Sequence, residues 1–144
     1  VVYALAELNL QITLAVSLHA PSNEMREKIM PIAKKYPLDE LLDACRFYAE
    51  KTRRRITFEY ALVKDLNDNY SHARSLAKLL HGMCCHVNLI PVNKARDGFL
   101  PVSCNEIEKF AAVLKEKNIP VTVRRSLGAD INAACGQLRG KFIE

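Results

Sequence analysis

The sequence predicts an α/β fold in which parallel strands are joined by crossover helices. Four short apolar runs rich in β-branched residues, at 11–18, 56–63, 85–90 and 119–124, alternate with stretches of helical spacing. Each connecting stretch is long enough to carry a crossover helix, which parallel strands require. The runs are near-continuously apolar rather than alternating, as in strands covered on both faces. Strand and helix alternate four times, which fits an open parallel sheet or a barrel.

In chain order, residues 1–8 have helical spacing and read as the end of a helix begun upstream. QITLAVSL (11–18) is the first strand, and Pro21 ends regular pairing. Ser22 or Asn23 can cap a helix running through Met30, with Glu24 in its first turn. Pro31 and Pro37 interrupt the chain, and Leu41, Leu42, Cys45 and Tyr48 then share one face of a helix over 38–50. ITFEYALV (56–63) is the second strand, and Asp65 to Asn69 forms a turn. A helix over 70–81 turns Ala73, Leu76, Leu79 and Leu80 inward and is ended by Gly82. The third strand leads into Pro91-Val92-Asn93, and an irregular loop follows. Ser103 with Glu106 three residues on makes a capping box for a helix reaching about Lys117, before the last strand.

Composition narrows the function classes. Hydrophobic residues make up 49% of the 144, enough for a sizeable core. The excess of 21 Lys and Arg over 16 Asp and Glu gives +5, which permits a nucleic-acid partner without demanding one. No stretch approaches the roughly 20 apolar residues of a membrane span, so no membrane association is expected. Val1-Val2-Tyr3 has no secretory pattern, and a cytoplasmic protein is expected. The missing initiator Met suggests a segment of a longer chain. Cysteines at 45, 84, 85, 104 and 135 are odd in number and form no CxxC, which argues against a disulfide scaffold. Cys45, Cys84 and Cys85 read as structural.

Ligands of parallel α/β folds bind beyond the carboxyl ends of the strands. The first strand delivers Ser17 and His19 there, the second carries Glu59 and Tyr60, the third delivers Asn93, and the fourth delivers Arg124 and Arg125. Each residue also has a plainer reading: Ser17 and Asn93 as turn formers, His19 as a satisfied half-buried imidazole. Glu59 in an apolar strand needs either an arginine partner or a polar cavity. Lys34-Lys35 and Arg53-Arg54-Arg55 read as solvated faces. Beyond the last strand, Ala133, Ala134 and Gly136 crowd around Cys135, with Arg124, Arg125 and Arg139 close in sequence. Positive charge favours the thiolate, so Cys135 is a reactive-thiol candidate beside its reading as a small buried hydrophobe. There is no GxGxxG, P-loop or HExxH, and Ser-Leu-His lacks the elbow of a hydrolase triad.

Four segments occur in a telling order: LAVSLHAPSNEMREKIMPIAKKYPLDELL (14–42), RRITFEYALVKDLND (54–68), CHVNLIPVN (85–93) and DINAACGQLRG (130–140). Together they resemble the radical S-adenosylmethionine RNA methyltransferases that methylate carbon 2 of adenine, over residues 5–140. The resemblance implies a partial (β/α)6 TIM-like radical SAM barrel, with residues 1–144 as the C-terminal portion of the core domain. It implies substrates in 23S ribosomal RNA and a tRNA adenosine near the anticodon. The cofactors would be S-adenosylmethionine and a 4Fe-4S cluster served by an external electron donor. The family's methyl-carrying cysteine falls on Cys135, which would form S-methylcysteine before a 5′-deoxyadenosyl radical activates that methyl. Its S-adenosylmethionine-binding residues fall on Ser17, Leu18, His19 and Asn93.

The resemblance also implies missing parts. The CxxxCxxC cluster motif, the second active-site cysteine and the N-terminal RNA-binding segment all lie upstream in the family. The segment alone is therefore expected to be inactive and to hold no metal ligand. Where many relatives carry Arg-Gly-Asp before DI, this chain has Leu127-Gly128-Ala129. Other readings stay open: a relative that methylates carbon 8 and confers antibiotic resistance, a non-catalytic RNA-binding or scaffold domain, and a generic α/β domain.

Overall fold

A computed structural model describes residues 1–8, 10–92 and 100–124. The elements are α1 (Val2–Glu7), β1 (Ala15–Ser17), α2 (Asn23–Ile29), a 3-10 turn (Pro31–Lys34), α3 (Leu38–Thr52), β2 (Ile56–Leu62), α4 (Tyr70–Leu79), β3 (Cys85–Pro91), α5 (Cys104–Glu116) and β4 (Val121–Val123). The helix starts follow the predicted chemistry. Ser22 accepts from the Met25 amide at the head of α2, and Ser103 and Glu106 close the capping box of α5. Asn69 and His72 make a second box at α4.

All four strands are parallel and lie in the order β1-β2-β3-β4. That order decides between the two predicted architectures. A right-handed crossover that always steps the same way along the sheet leaves every helix on one face, as in a barrel wall. A doubly wound sheet would instead reverse its direction of growth. The burial pattern agrees. On the helical face Ile56, Phe58, Tyr60, Leu62, Val87 and Leu89 are completely buried. The Tyr60 ring meets Phe110 of α5 at 5.2 Å between centroids. On the other face Thr57, Glu59, Ala61, His86, Asn88 and Ile90 remain partly open. The strands are therefore covered on one side only among the described residues.

The first and last strands are shorter than predicted. Thr57 donates to the Leu14 carbonyl, and pairing of Ala15 with Thr57 begins the ladder. Because β2 starts only at Ile56, residues 11–13 have no neighbouring backbone to pair with, despite their β-branched character. The last run likewise narrows to Val121–Val123, opposite Val87–Leu89 of β3.

Among the described residues, β1 and β4 each bond to one neighbour. Two open strand edges template further pairing. We predict that the isolated chain elutes as dimers or larger species. A monodisperse monomer in light scattering at high concentration would contradict this.

Candidate functional site

The carboxyl end of β1 is tied down more densely than its length requires. The Leu18 and His19 amides both donate to the Glu59 carbonyl, at 2.9 and 3.3 Å. The Leu18 carbonyl accepts from Arg26 Nε at 3.1 Å, and the His19 carbonyl accepts from Asn67 Nδ2 at 2.8 Å. His19 Nδ1 accepts from the Ala61 amide at 2.9 Å. His19 itself has φ of 60°, in the left-handed region that few non-glycine residues occupy. Such strain persists only where surroundings over-determine it, and it concentrates at ligand-binding positions. Because Nδ1 accepts, the ring is the neutral tautomer with its proton on Nε2. Burial pushes the imidazole pKa below the usual histidine value; Glu59 opposes this shift and Arg26 adds to it.

Asn67 and Arg26 hold this turn, and both are buried. Asn67 Oδ1 accepts from the Val63 amide at 2.8 Å, while Nδ2 serves the His19 and Ala61 carbonyls at 2.8 and 2.7 Å. The Tyr60 hydroxyl donates to the Asn67 carbonyl at 2.7 Å. Arg26 adds a bond from its Nη1 to the Tyr36 carbonyl at 3.2 Å. The sequence places Asn67 in the 65–69 turn and Arg26 in the helix running through Met30. Composition held no signal for either role, because both act on backbone carbonyls distant in sequence.

The uncovered face of the sheet carries a polar row. Ser17 pairs in register with Glu59, Glu59 with Asn88, and Asn88 with Thr122. One row back, His86 Nε2 shares a hydrogen bond with Thr122 Oγ1. Glu59 is half-buried, and among the described residues no ion pair reaches it. Of the two predicted outcomes for Glu59, no arginine partner is found among the described residues, and its strand neighbours on this face are polar. Tyr60 differs from its predicted place near the site. Side chains alternate along a strand, so it turns into the helical core, where burial raises its phenol pKa.

The structure brings Ser17, Leu18 and His19 together at the end of β1. Ser17 is exposed on the polar face, and Leu18 is fully buried, so Leu18 presents backbone rather than side chain. Asn93, Arg125, Cys135 and Arg139 lie outside the described residues. Cys45 and Cys85 are buried; burial first, then Cys85 beside Cys45 and Cys84 beside Cys85, pushes their thiols up to about 11. Both are held as unreactive thiols, in keeping with their structural reading.

The uncovered face suits an adenosyl group: it offers hydroxyl, amide and carboxylate side chains, and no lysine or arginine occurs within the four strands. A cluster does not fit what is described. Among the described residues no group of three His, Cys, Asp or Glu could hold a metal ion. A groove of about 610 Å³ lies on the helical side between α4 and the end of α5, where Arg74, Lys78, His81 and Lys117 line it.

No protein-family model matches the chain. Curated proteins do match it over nearly its whole length, two of them as follows. A probable dual-specificity RNA methyltransferase RlmN of Clostridium botulinum (strain Eklund 17B / Type B) is 58% identical over 99% of the chain and 42% of its own length. One of Alkaliphilus oremlandii is 57% identical over 97% of the chain and 41% of its own length. A crystal structure of a radical SAM methyltransferase from Sphaerobacter thermophilus superposes with a TM-score of 0.86 at 45% identity, covering 95% of this chain and 41% of that one.

The chain matches a segment of the radical SAM RNA methyltransferases. It spans about two fifths of the length of these relatives. A domain of a pyruvate-formate lyase-activating enzyme from Bacteroides vulgatus shares the fold, with a TM-score of 0.64 at 16% identity. The α/β wall described above superposes on part of the Sphaerobacter thermophilus structure. The strained SLHAP turn and the KDLND loop that holds it follow the carboxyl ends of the adjacent parallel strands β1 and β2.

Two predictions follow from the geometry of this turn. Asn67→Ala strands the buried Val63 amide and two carbonyls, and we predict a loss of about 2–4 kcal/mol in urea unfolding. A loss below about 1 kcal/mol would show that water replaces the clamp. The folded pKa of His19 lies below 6.5, so the unfolded chain takes up the proton first. Stability is then full above pH 6.5 and declines as pH falls through and below it. His72 and His86 shift in the same direction. We therefore expect His19→Asn, which keeps an acceptor and tolerates the left-handed backbone, to remove part of this acid loss and not all of it.

Proposed function

We propose that residues 1–144 are the C-terminal portion of the radical SAM core of an RNA methyltransferase that modifies carbon 2 of adenosine. Its substrates are an adenosine of 23S ribosomal RNA and a tRNA adenosine near the anticodon. The observation that carries this reading is the SLHAP turn, held in a strained conformation by five hydrogen bonds at the carboxyl end of a barrel strand. An identity of 58% over 99% of the chain to a probable dual-specificity RNA methyltransferase supports it.

In this reading Ser17, Leu18, His19 and Asn93 hold S-adenosylmethionine. Leu18 contributes through its backbone, and His19 offers its Nε2 proton as a donor. S-Adenosylmethionine, when bound, supplies both the methyl group and the radical chemistry. Cys135 accepts the methyl on sulfur and tethers it for addition to the ring. The carbon between two ring nitrogens of adenine is electron-poor and resists ordinary attack on a methyl cation, so a tethered carbon radical suits it. The 4Fe-4S cluster is held by ligands upstream of this segment and is served by an external electron donor. The segment alone is inactive, and the whole enzyme works in the cytoplasm. Among the described residues no helix is long and apolar enough to cross a membrane.

The test is made on the full-length enzyme purified without oxygen. We expect the Cys135 peptide to be one methyl heavier and Cys135→Ala to abolish RNA methylation while leaving S-adenosylmethionine binding in place. Nucleoside mass spectrometry should then report 2-methyladenosine. An 8-methyl product would transfer the chain to the carbon-8 relative. An unmodified Cys135 in protein that carries its cluster would overturn the tethered-methyl reading.

A further inference from the structure

Ser17, Glu59 and Asn88 stand side by side on the uncovered face of three adjacent strands, in strict register. Neighbouring strands lie about 4.8 Å apart, so their side chains form one continuous strip. Among the described residues none of these three side chains makes a hydrogen bond or ion pair within the chain, whereas Thr122, next in the row, is engaged by His86. Glu59 is the only carboxylate in the four strands, and it sits at the centre of the strip.

The chemistry of this strip selects its ligand. A phosphate is unsuited, because the strands offer a carboxylate and no lysine or arginine. An ionised carboxylate accepts only, and its two oxygens can take two donors at once. Vicinal hydroxyls present two such donors at matching spacing. Ser17 and Asn88 on either side can both donate and accept, and so complete the shell of each hydroxyl. A carboxylate on the 2′-hydroxyl of a ribose is a recurrent solution in nucleotide-binding folds.

We infer that Glu59, flanked by Ser17 and Asn88, binds the ribose diol of the adenosyl group and sets the selection of ribose over deoxyribose. This rests on the cofactor reading proposed above. Glu59 also anchors the turn through its backbone, since its carbonyl accepts the Leu18 and His19 amides. One residue thus joins the shape of the turn to recognition of the sugar beside it.

The probe is S-adenosylhomocysteine and its 2′-deoxy and 3′-deoxy analogues, titrated calorimetrically into the full-length methyltransferase. We expect the parent enzyme to bind the ribose form roughly tenfold or more tighter than either analogue. Glu59→Gln, an isosteric change at a half-buried position, should weaken binding of the ribose form and narrow that gap. Asn88→Ser gives the same test from the next strand should Glu59→Gln lower the melting temperature. If Ser17→Ala weakens binding while Glu59→Gln and Asn88→Ser leave affinity and gap unchanged, the inference fails and the cofactor site stands. If none of the three variants changes binding, the cofactor reading of this face fails with it.

Discussion

The amide of Asn67 is the point on which the site depends. In one buried side chain it satisfies the Val63 amide, the Ala61 carbonyl and the His19 carbonyl, so it joins the ends of β2 and β1. A parallel ladder cannot do this alone. Its regular bonds stop where the strands stop, and the last backbone groups must find partners elsewhere or remain in water. Asn67 supplies those partners without solvent, and in doing so holds His19 in the left-handed region. The Arg26 guanidinium acts on the neighbouring carbonyl in the same way. A buried cation is costly, and bonds to two carbonyls offset part of that cost.

A second constraint follows from topology. Right-handed crossovers that step always in one direction place the helices on one side of the sheet, and the apolar half of each strand is used up in covering them. The other half is free to be polar. In an isolated sheet a row of Ser, Glu, Asn and Thr would simply be solvated. In a wall that curves toward closure the same row becomes an inner surface, where a carboxylate is only partly hydrated and selective for donors. The turn at the end of β1 and this row are contiguous through Ser17 and Glu59.

Much of this was legible in the sequence. Strand and helix rhythm, the cap at Ser22 and the capping box at Ser103 depend on residues within a few positions of each other. Motif order in SLHAP, KDLND, VNLIPVN and ACGQL carried the family resemblance. The limits were equally physical. Residues 11–13 have full strand character but lack a paired neighbour, since β2 begins too late to reach them. Tyr60 looked like a site residue because it adjoins Glu59 in sequence, and strand alternation sends the two to opposite faces.

The sequence by itself determined the α/β class, the helix starts, the inert character of Cys45 and Cys85 and the positions at which chemistry concentrates. Those features are local, or follow from apolar periodicity. Only the tertiary structure decided that the sheet grows in one direction, that Glu59 stands in a row of polar side chains, and that Asn67 and Arg26 hold the Ser17-Leu18-His19 turn. Each of these depends on which strand end lies beside which, and partners up to 48 residues apart in the chain meet only when the crossovers are complete.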